Sequence, residues 1–354
     1  MADENKTPPP RGDRLAHSVQ RHFLWLLLGC YALAAFWPAP GQILRQWQWS
    51  PGDKPDLIFN VPLLLLALML FSAALLTELK QIRIVLRHPW ILCAALVAVW
   101  LGPALLVVAA GYVLPSAVDG QATTGVLVGL ALVATMPVAN SSVGWTQHAK
   151  GNLALALALV VVSISLSPLL TRQLLSVLGM SLSAEEQAYC EALVDQFSGW
   201  FFVIWVILPT AAGFLCRYLI TPARVGRFGP WFALASATAL LMLNYINSAL
   251  ALPEVYDAPR LLLIVTAVLA AALSAVGLAL GWALARVLRL ATDTRSALLF
   301  GLSMKHTGLA LILAGAVLVN QPLAILMIML ATLMQHLLAG VVQWLEPAAQ
   351  ARKV

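Results

Sequence analysis

Long apolar runs alternate with short polar segments along the chain, and this pattern predicts membrane-spanning helices. A helix needs about 20 mainly apolar residues to cross the hydrocarbon core of a bilayer. Ten runs approach this length, at residues 22–38, 57–77, 90–114, 123–139, 152–178, 197–220, 228–250, 260–288, 294–317 and 323–345. We therefore predict an all-α polytopic membrane protein with ten transmembrane helices, numbered spans 1 to 10 in chain order.

The composition agrees with a chain whose solvent is the lipid bilayer. Of the 354 residues, 61% are hydrophobic and 10% are charged, whereas a soluble domain carries about 25% charged residues. Such a chain has too few polar groups to cover its own surface in water. None of the four cysteines forms a CxxC pair, so neither a zinc site nor a disulfide framework is indicated. We expect no metal and no cofactor.

The basic residues predict the orientation in the membrane. Most of the 21 lysines and arginines lie at the ends of the apolar runs, and they are not gathered in one patch, which argues against nucleic acid as a partner. Cytoplasmic loops carry an excess of Lys and Arg, so both termini are predicted to be cytoplasmic. The compact loops suit a bacterial inner membrane. In this topology the outer segments hold only Arg45, Lys54, Arg172 and Arg260.

An acidic segment divides the chain into two halves. Residues 179–196, with Glu185, Glu186, Glu191 and Asp195, are predicted to form an outer loop. They separate a first five-helix repeat at 22–178 from a second at 197–346, and cytoplasmic tails occupy 1–21 and 347–354. Because five is odd, two similar halves lie upside down relative to each other. Inverted repeats of this kind are a recurrent plan of secondary transporters.

Polar interruptions at equivalent positions of the two halves predict a functional site. Span 4 is broken by Pro137-Val138-Ala139-Asn140-Ser141-Ser142, and span 9 by Ser303-Met304-Lys305-His306-Thr307-Gly308. Unwound backbone survives at membrane depth only where it is buried in protein or lines a cavity. Paired breaks therefore indicate a binding site near the midplane of the membrane.

The residues around these breaks resemble the bile acid:sodium symporter family. The most specific part is 137–152, where a proline-led break runs into Lys150-Gly151-Asn152, and the following span 5 carries Ser163, Ser165 and Ser167-Pro168. Residues 301–310 match the family's ninth-helix crossover in length, in Met304 and in Gly308-Leu309-Ala310. A further match follows span 2, at Leu76-Thr77-Glu78-Leu79-Lys80.

The resemblance implies both a fold and an activity. A panel of spans 1, 2, 6 and 7 would face a core of spans 3–5 and 8–10, and the broken spans 4 and 9 would cross inside the core. Transport of an organic anion would then proceed by movement of the core against the panel.

Where the family places its sodium ligands, this chain mostly carries hydrocarbon. The family's Ser-Asn pair in span 4 falls on Ser142 and Val143, and its hydroxyl residues in span 5 fall near Ala156 and Val160. Its Glu and Gln in span 9, and its Gln in span 3, fall on or near Gly301, Lys305 and Val99. Sodium requires oxygen ligands. We therefore predict that both sodium sites are lost or badly weakened.

Lys305 is the one charged residue predicted to lie deep in a span, where an unpaired ammonium costs about 2.5 kcal/mol or more. Three hypotheses account for it. The ammonium replaces sodium, is held by the carbonyl ends of the broken helices, and loads and releases a proton once per cycle. Alternatively, Lys305 binds the anionic substrate directly, or it permanently caps unwound carbonyls as a structural residue.

Other polar residues in the spans are candidates for contacts with the substrate or the proton. His306 lies beside Lys305 and is predicted to tune or share the proton. The candidate substrate-binding residues are Asn140, Ser141, Ser142 and Thr307 at the breaks, Asn244 and Asn247 in span 7, and His336 in span 10. For the two span-7 asparagines, interhelical hydrogen bonding is an equal alternative.

The leading functional hypothesis is a secondary active transporter of a small organic anion, independent of sodium and coupled to protons through Lys305. A sodium-coupled symporter with a rearranged site stays open. So do a channel or facilitator and a membrane sensor that has lost transport. The chain has no HExxH or GxSxG motif and no GxxxxGK[ST] loop, so we predict that it is not an enzyme and does not use ATP.

Overall fold

The computed structural model describes residues 22–49, 59–76, 89–117, 120–197, 203–255 and 258–351, with a few single positions between 12 and 19. Most of the predicted N-terminal tail, the end of the C-terminal tail, and residues 77–80 of the element after span 2 lie outside the described residues. We number the helices and strands in chain order within the described part.

The described part is almost entirely helical. The first half contains α1 (Phe23–Phe36), α2 (Ala39–Gln46), β1 (Gln48–Trp49), β2 (Phe59–Asn60), α3 (Val61–Leu76), α4 (Pro89–Ala117), α5 (Gly120–Thr135), α6 (Ser141–His148) and α7 (Leu153–Met180). The second half contains α8 (Ala184–Phe197), a π-helical turn (Val203–Ile207), α9 (Leu208–Leu219), α10 (Pro222–Val255), α11 (Arg260–Val287), α12 (Thr292–Ser303), α13 (Thr307–Val317) and α14 (Pro322–Ala351). The two short strands pair antiparallel.

Local sequence explains where several helices begin. The side chain of Asn152 accepts a hydrogen bond from the Leu155 N–H at the start of α7, as N-cap residues do. Before α8, the Glu186 carboxylate accepts bonds from the Ser183 N–H and hydroxyl, and the bond from the N–H is the one that the acidic residue of a capping box makes. Part of the segment predicted as an outer loop is therefore helix α8.

The structure confirms an all-α membrane protein but does not settle the count of ten spans. Five helices of the described part, α4, α7, α10, α11 and α14, are long and apolar enough to cross a membrane. A sixth span results if α1 and α2, which meet at 92°, are counted as one broken element. The other apolar helices are shorter, because the breaks divide spans 4 and 9 and because part of spans 2 and 6 lies outside the described residues. Ten spans in two inverted repeats remain a prediction.

The helices pack in two groups. In the first group α3 contacts α9 and α10, and α10 contacts α1 and α2. In the second group α11 contacts α12, α14 and α4, α5 contacts α4 and α14, α13 contacts α14, and α12 contacts α6 and α7. Helix α10 also contacts α14 and so joins the two groups. Residues 123–139 and 296–314, which contain the start of the first predicted break and all of the second, are buried throughout. Leucine and valine side chains at helical spacing on α4, such as Val97, Leu101 and Leu105, are exposed, as expected of a surface that faces lipid.

Candidate functional site

The two breaks lie where the sequence predicts them, and they cross each other. Between α5 and α6, and between α12 and α13, the backbone is extended, and Val138 and Lys305 form an antiparallel bridge. The Ala139 N–H donates to Met304 O at 2.9 Å, and the His306 N–H donates to Pro137 O at 2.9 Å. Each break therefore satisfies backbone groups of the other, which is how unwound backbone is tolerated at membrane depth.

Side chains from two other helices complete the crossover. The Val138 N–H donates to the Ser163 hydroxyl of α7 at 3.0 Å, and the Lys305 N–H donates to Gln335 Oε1 of α14 at 2.9 Å. Both donors are buried, and a buried backbone donor without a partner costs about 1–3 kcal/mol. Ser163 and Gln335 therefore hold the extended segments in place.

The Lys305 ammonium contacts three backbone carbonyls and, within the part of the chain that the structure describes, no carboxylate. It donates to Ala134 O at 3.0 Å, to Met136 O at 3.2 Å and to Val99 O. The Lys305 side chain is 2% exposed. Three acceptors match the three N–H groups of an ammonium, so this surrounding fits the charged form.

The carbonyls are free because α5 unwinds at Pro137. A continuing helix would bond the carbonyls of residues 134–136 to N–H groups four positions later, but here Val138 and Ala139 donate elsewhere. Two further side chains use the freed Thr135 carbonyl, since Trp100 Nε1 donates to it at 3.0 Å and the Thr171 hydroxyl at 2.9 Å. The C-terminal end of α5, which carries partial negative charge, is thus capped by side-chain donors, and Lys305 is the charged one.

A cavity of about 690 Å³ adjoins the crossover, a volume typical of small-molecule sites. Its walls come from both helix groups and include Met69 of α3, Leu240 of α10 and Val160 of α7. The polar residues that line it are Asn140, Ser141, Gln147, Ser236, Lys305, His306, Thr307, Gln335, His336 and Gln343. No Asp or Glu is among the described residues that line it.

Both histidines of the cavity wall carry a ring N–H group that has no partner in the described part. His306 Nδ1 accepts the Leu309 N–H at 3.2 Å as the N-cap of α13, and His336 Nδ1 accepts Trp145 Nε1–H at 3.2 Å. Because Nδ1 is an acceptor in each ring, the ring proton lies on Nε2. Neither Nε2 has a hydrogen-bond partner within the described part, and both atoms are buried. In this conformation these Nε2–H groups are buried donors without an acceptor, in side chains that line the cavity.

The predicted site residues at the breaks are brought together, with one exception. Asn140, Ser141, His306, Thr307 and His336 all line the cavity. The buried amide of Asn140 has no partner among the described residues. Ser142 is fully buried and is absent from the cavity wall, so its hydroxyl faces the interior of the protein.

Asn244 and Asn247 do not line this cavity, and both side chains are bonded to other groups of the protein. Asn244 Oδ1 accepts the Tyr31 hydroxyl of α1 at 3.1 Å, and Asn247 Oδ1 accepts Arg45 Nη1 of α2 at 3.3 Å. Both amide groups also donate to carbonyls one turn earlier in α10. In this structure the two side chains form hydrogen bonds between helices, which is the alternative that the sequence analysis left open.

Apolar packing occupies several of the positions where the resemblance places sodium ligands. Val99 and Ala156 are fully buried and Val160 is 4% exposed. A Cβ atom added at Gly301 would lie 2.8 Å from Leu159 Cδ1, so a larger residue would displace that side chain. Val99 still contributes an oxygen, because its backbone carbonyl accepts from Lys305. Within the described residues, no group of three or more His, Cys, Asp or Glu could hold a metal ion.

Several residues of the site were not predicted. Trp100 and Trp145 are not among the candidates that the sequence suggests, yet the indole N–H of Trp100 donates to the freed Thr135 carbonyl and that of Trp145 to the cavity residue His336. Gln335, next to His336, was not selected. For Trp100, Trp145 and Gln335 the sequence offers the same signal, which is a polar group inside an apolar run. This signal does not identify the hydrogen-bond partner of each side chain.

Comparison with known proteins places the chain among membrane transporters. A family model described as the Sodium Bile acid symporter family matches residues 63–255, which is more than half of the chain. A protein of Bacillus subtilis (strain 168), described as uncharacterized protein YbaS, is 23% identical over 248 residues, which cover 70% of this chain and 76% of that protein. With its buried crossover, its apolar helices and this match, the chain belongs to the sodium bile acid symporter family.

Proposed function

We propose that this protein is a secondary active transporter of an organic anion that works by alternating access and is coupled to protons through Lys305. In the proposed cycle a panel, the first helix group, moves against a core, the second helix group. The observation that carries the proposal is the Lys305 ammonium held by carbonyls of Val99, Ala134 and Met136. Hard cations take oxygen ligands of this kind, so the ammonium stands in for a coupling ion.

Loss of the proton would disturb this arrangement. A neutral amine has two N–H groups and a lone pair, and the lone pair would face one of the three carbonyls. Deprotonation therefore favours a different arrangement of the α5 end and of α4, which provides Val99. This link between protonation and helix position supports proton coupling. The structural hypothesis, a permanent cap, predicts no such dependence.

The polar groups of the cavity support an anionic substrate. The Nε2–H group of His306, the Asn140 amide and the Thr307 hydroxyl are donors at the starts of α6 and α13, where helix N-termini favour negative charge. The Nε2–H group of His336 in α14 is a further donor without a partner in the described part. Lys305 has no N–H left for a substrate in this conformation, which argues against the hypothesis that it binds the anion directly.

The thermal stability of the purified protein tests the coupling ion. We expect the unfolding temperature of the wild type, with choline as the only added cation, to depend on pH, and this dependence to disappear in Lys305→Met. A matched control is Lys150→Met, since Lys150 is an exposed lysine outside the cavity. A wild type that sodium stabilises, and potassium does not, would instead indicate sodium-coupled symport with a rearranged site.

Reconstitution tests active transport. Liposomes containing the protein, given an imposed pH gradient, are expected to accumulate a labelled bile-acid anion such as taurocholate above its external concentration. The Lys305→Met protein should bind this anion without accumulating it. Equilibration without accumulation in the wild type would point to a facilitator.

A further inference from the structure

A contact between the two helix groups lies at the end of the molecule that does not adjoin the cavity. It joins Arg45 of α2 to Gly315 near the end of α13. The Arg45 Nη2 donates to Gly315 O, and its Nη1 donates to Asn247 Oδ1 of α10 at 3.3 Å. Arg45 was singled out in the sequence only as one of the few basic residues predicted on the outer side.

Helix α2 is held firmly on α10. A Cβ atom at Gly41 would lie 2.6 Å from the Ala249 Cβ, so the two helices approach as closely as a glycine allows. Gln42 Nε2 donates to Ala249 O at 3.2 Å, and the Tyr245 hydroxyl donates to Trp37 O at 2.8 Å. Because α2 is fixed to α10 in this way, Arg45 belongs mechanically to the first helix group.

The partner of Arg45 belongs to the second group. Helix α13 starts at the crossover and ends at Val317, so Gly315 O is one of its last carbonyls, where a helix carries partial negative charge. A Cβ atom at Gly315 would lie 2.8 Å from Arg45 Nη1 and 3.0 Å from Nη2. The absence of a side chain at Gly315 is therefore what lets the guanidinium reach the backbone.

This contact and the cavity mark opposite ends of the helices. The cavity reaches Phe23 at the start of α1, Leu76 at the end of α3 and Gln343 late in α14. Arg45 follows the other end of α1, and the strands next to it, β1 and β2, connect to the start of α3. The distribution of Lys and Arg predicts that the Arg45 end is the outer one.

We infer that Arg45, Asn247 and Gly315 form an outer gate, which closes the outer end while the cavity adjoins the opposite end and which must open for the outward-facing state. This inference rests on the proposed alternating access. Arg45 supplies the charge, Asn247 orients its guanidinium, and Gly315 gives access to the carbonyl.

Accessibility of the cavity to a reagent tests the gate without any substrate. The reporter is Ser141→Cys, a cavity position, in a full-length chain whose Cys30, Cys93, Cys190 and Cys216 are replaced by alanine. A membrane-impermeant maleimide is added from the outer face. We expect Arg45→Ala and Gly315→Ala each to raise the labelling rate about tenfold, since a hydrogen bond from a charged group is lost. Arg45→Lys should have a smaller effect, because a lysine keeps the charge but not the two-pronged geometry.

Arg172→Ala is the matched control, since Arg172 is an exposed arginine predicted on the same side and should leave the rate unchanged. Unchanged labelling in both Arg45→Ala and Gly315→Ala would overturn the gate, as would an equal rise in the control. If Arg45→Ala fails to fold, Gly315→Ala decides, because it retains the arginine. A rise in labelling without proton-driven uptake would leave the gate standing and contradict the proposed function.

Discussion

At the residue scale, Lys305 shows how backbone alone can accommodate a buried charge. The ammonium donates its three N–H groups to backbone carbonyls. Two of these carbonyls, those of Ala134 and Met136, are free only because α5 ends before Pro137. A proline within an apolar segment thus creates the acceptors, and a lysine far away in sequence uses them. The positive charge of Lys305 is therefore stabilised by the dipoles of backbone carbonyls, as cations are at helix C-termini.

Removing Lys305 should expose a latent cation site. In Lys305→Ala the three carbonyls lose their common donor, and a sodium ion that enters from the cavity can take its place with water completing the coordination. We expect sodium to raise the unfolding temperature of Lys305→Ala, by an amount corresponding to about 2.7 kcal/mol at a concentration 100 times the dissociation constant.

The comparison for this prediction is potassium and choline at equal ionic strength, with Lys150→Ala as the control protein. If Lys305→Ala responds to the three cations alike, the carbonyl cluster is not a cation site, and the role of Lys305 is that of a structural cap.

At the scale of elements, close packing between α11 and α12 positions the crossover. A Cβ atom at Gly277 would lie 2.3 Å from Leu302 O and 2.5 Å from Ser303 Cα, and Gly281 is packed in the same way one turn later. Two small residues four apart are a common device for close helix approach in membranes. Because α12 ends at Ser303, this contact fixes the position from which Met304 and Lys305 continue into the crossover.

Gly277→Ala should therefore destabilise the protein. The added methyl group meets backbone atoms, which cannot rotate away, and overpacking of this kind costs about 1–3 kcal/mol. The measurement is the unfolding temperature of the purified protein. Gly29→Ala is the control, because nothing lies within 4 Å of a Cβ at Gly29 on α1 and alanine is the better helix former by about 1 kcal/mol. Equal behaviour of the two variants would contradict a positioning role for the α11–α12 contact.

At the scale of the whole molecule, the two helix groups share a cavity and, away from it, the Arg45 contact. The cavity walls come from both groups, and Arg45 joins the groups again beyond the far end of α13. Relative movement of the groups would therefore change both ends together. This is the geometry that alternating access requires.

The predicted topology places Lys150 and Arg260 on opposite faces of the membrane. Single cysteines at these two positions, in a chain without other cysteines, should react with an impermeant maleimide from different sides, Lys150→Cys from the cytoplasm and Arg260→Cys from outside. An even number of spans separates the termini in this topology, so a C-terminal reporter should be cytoplasmic. Labelling of both positions from one face would show that the count of spans between them is wrong.

The sequence by itself determined the class of protein and the position of the breaks. Apolar runs, prolines and polar interruptions act locally, because a helix forms or fails within a few residues of its own backbone. For the same reason the breaks at 137–142 and 303–308 were predicted at the places where α5, α6, α12 and α13 end and begin. The count of ten spans rests on the lengths of the apolar runs and stays a prediction.

Only the tertiary structure decided which polar groups meet. Lys305 bonds Val99 O, 206 positions away, and Asn247 bonds Arg45, 202 positions away, so neither pairing follows from local pattern. The same holds for Asn244, which appeared in the sequence as a candidate ligand and is instead tied to Tyr31 of α1. A buried polar group must find a partner, and the sequence states that need, but the packing of distant helices chooses the partner.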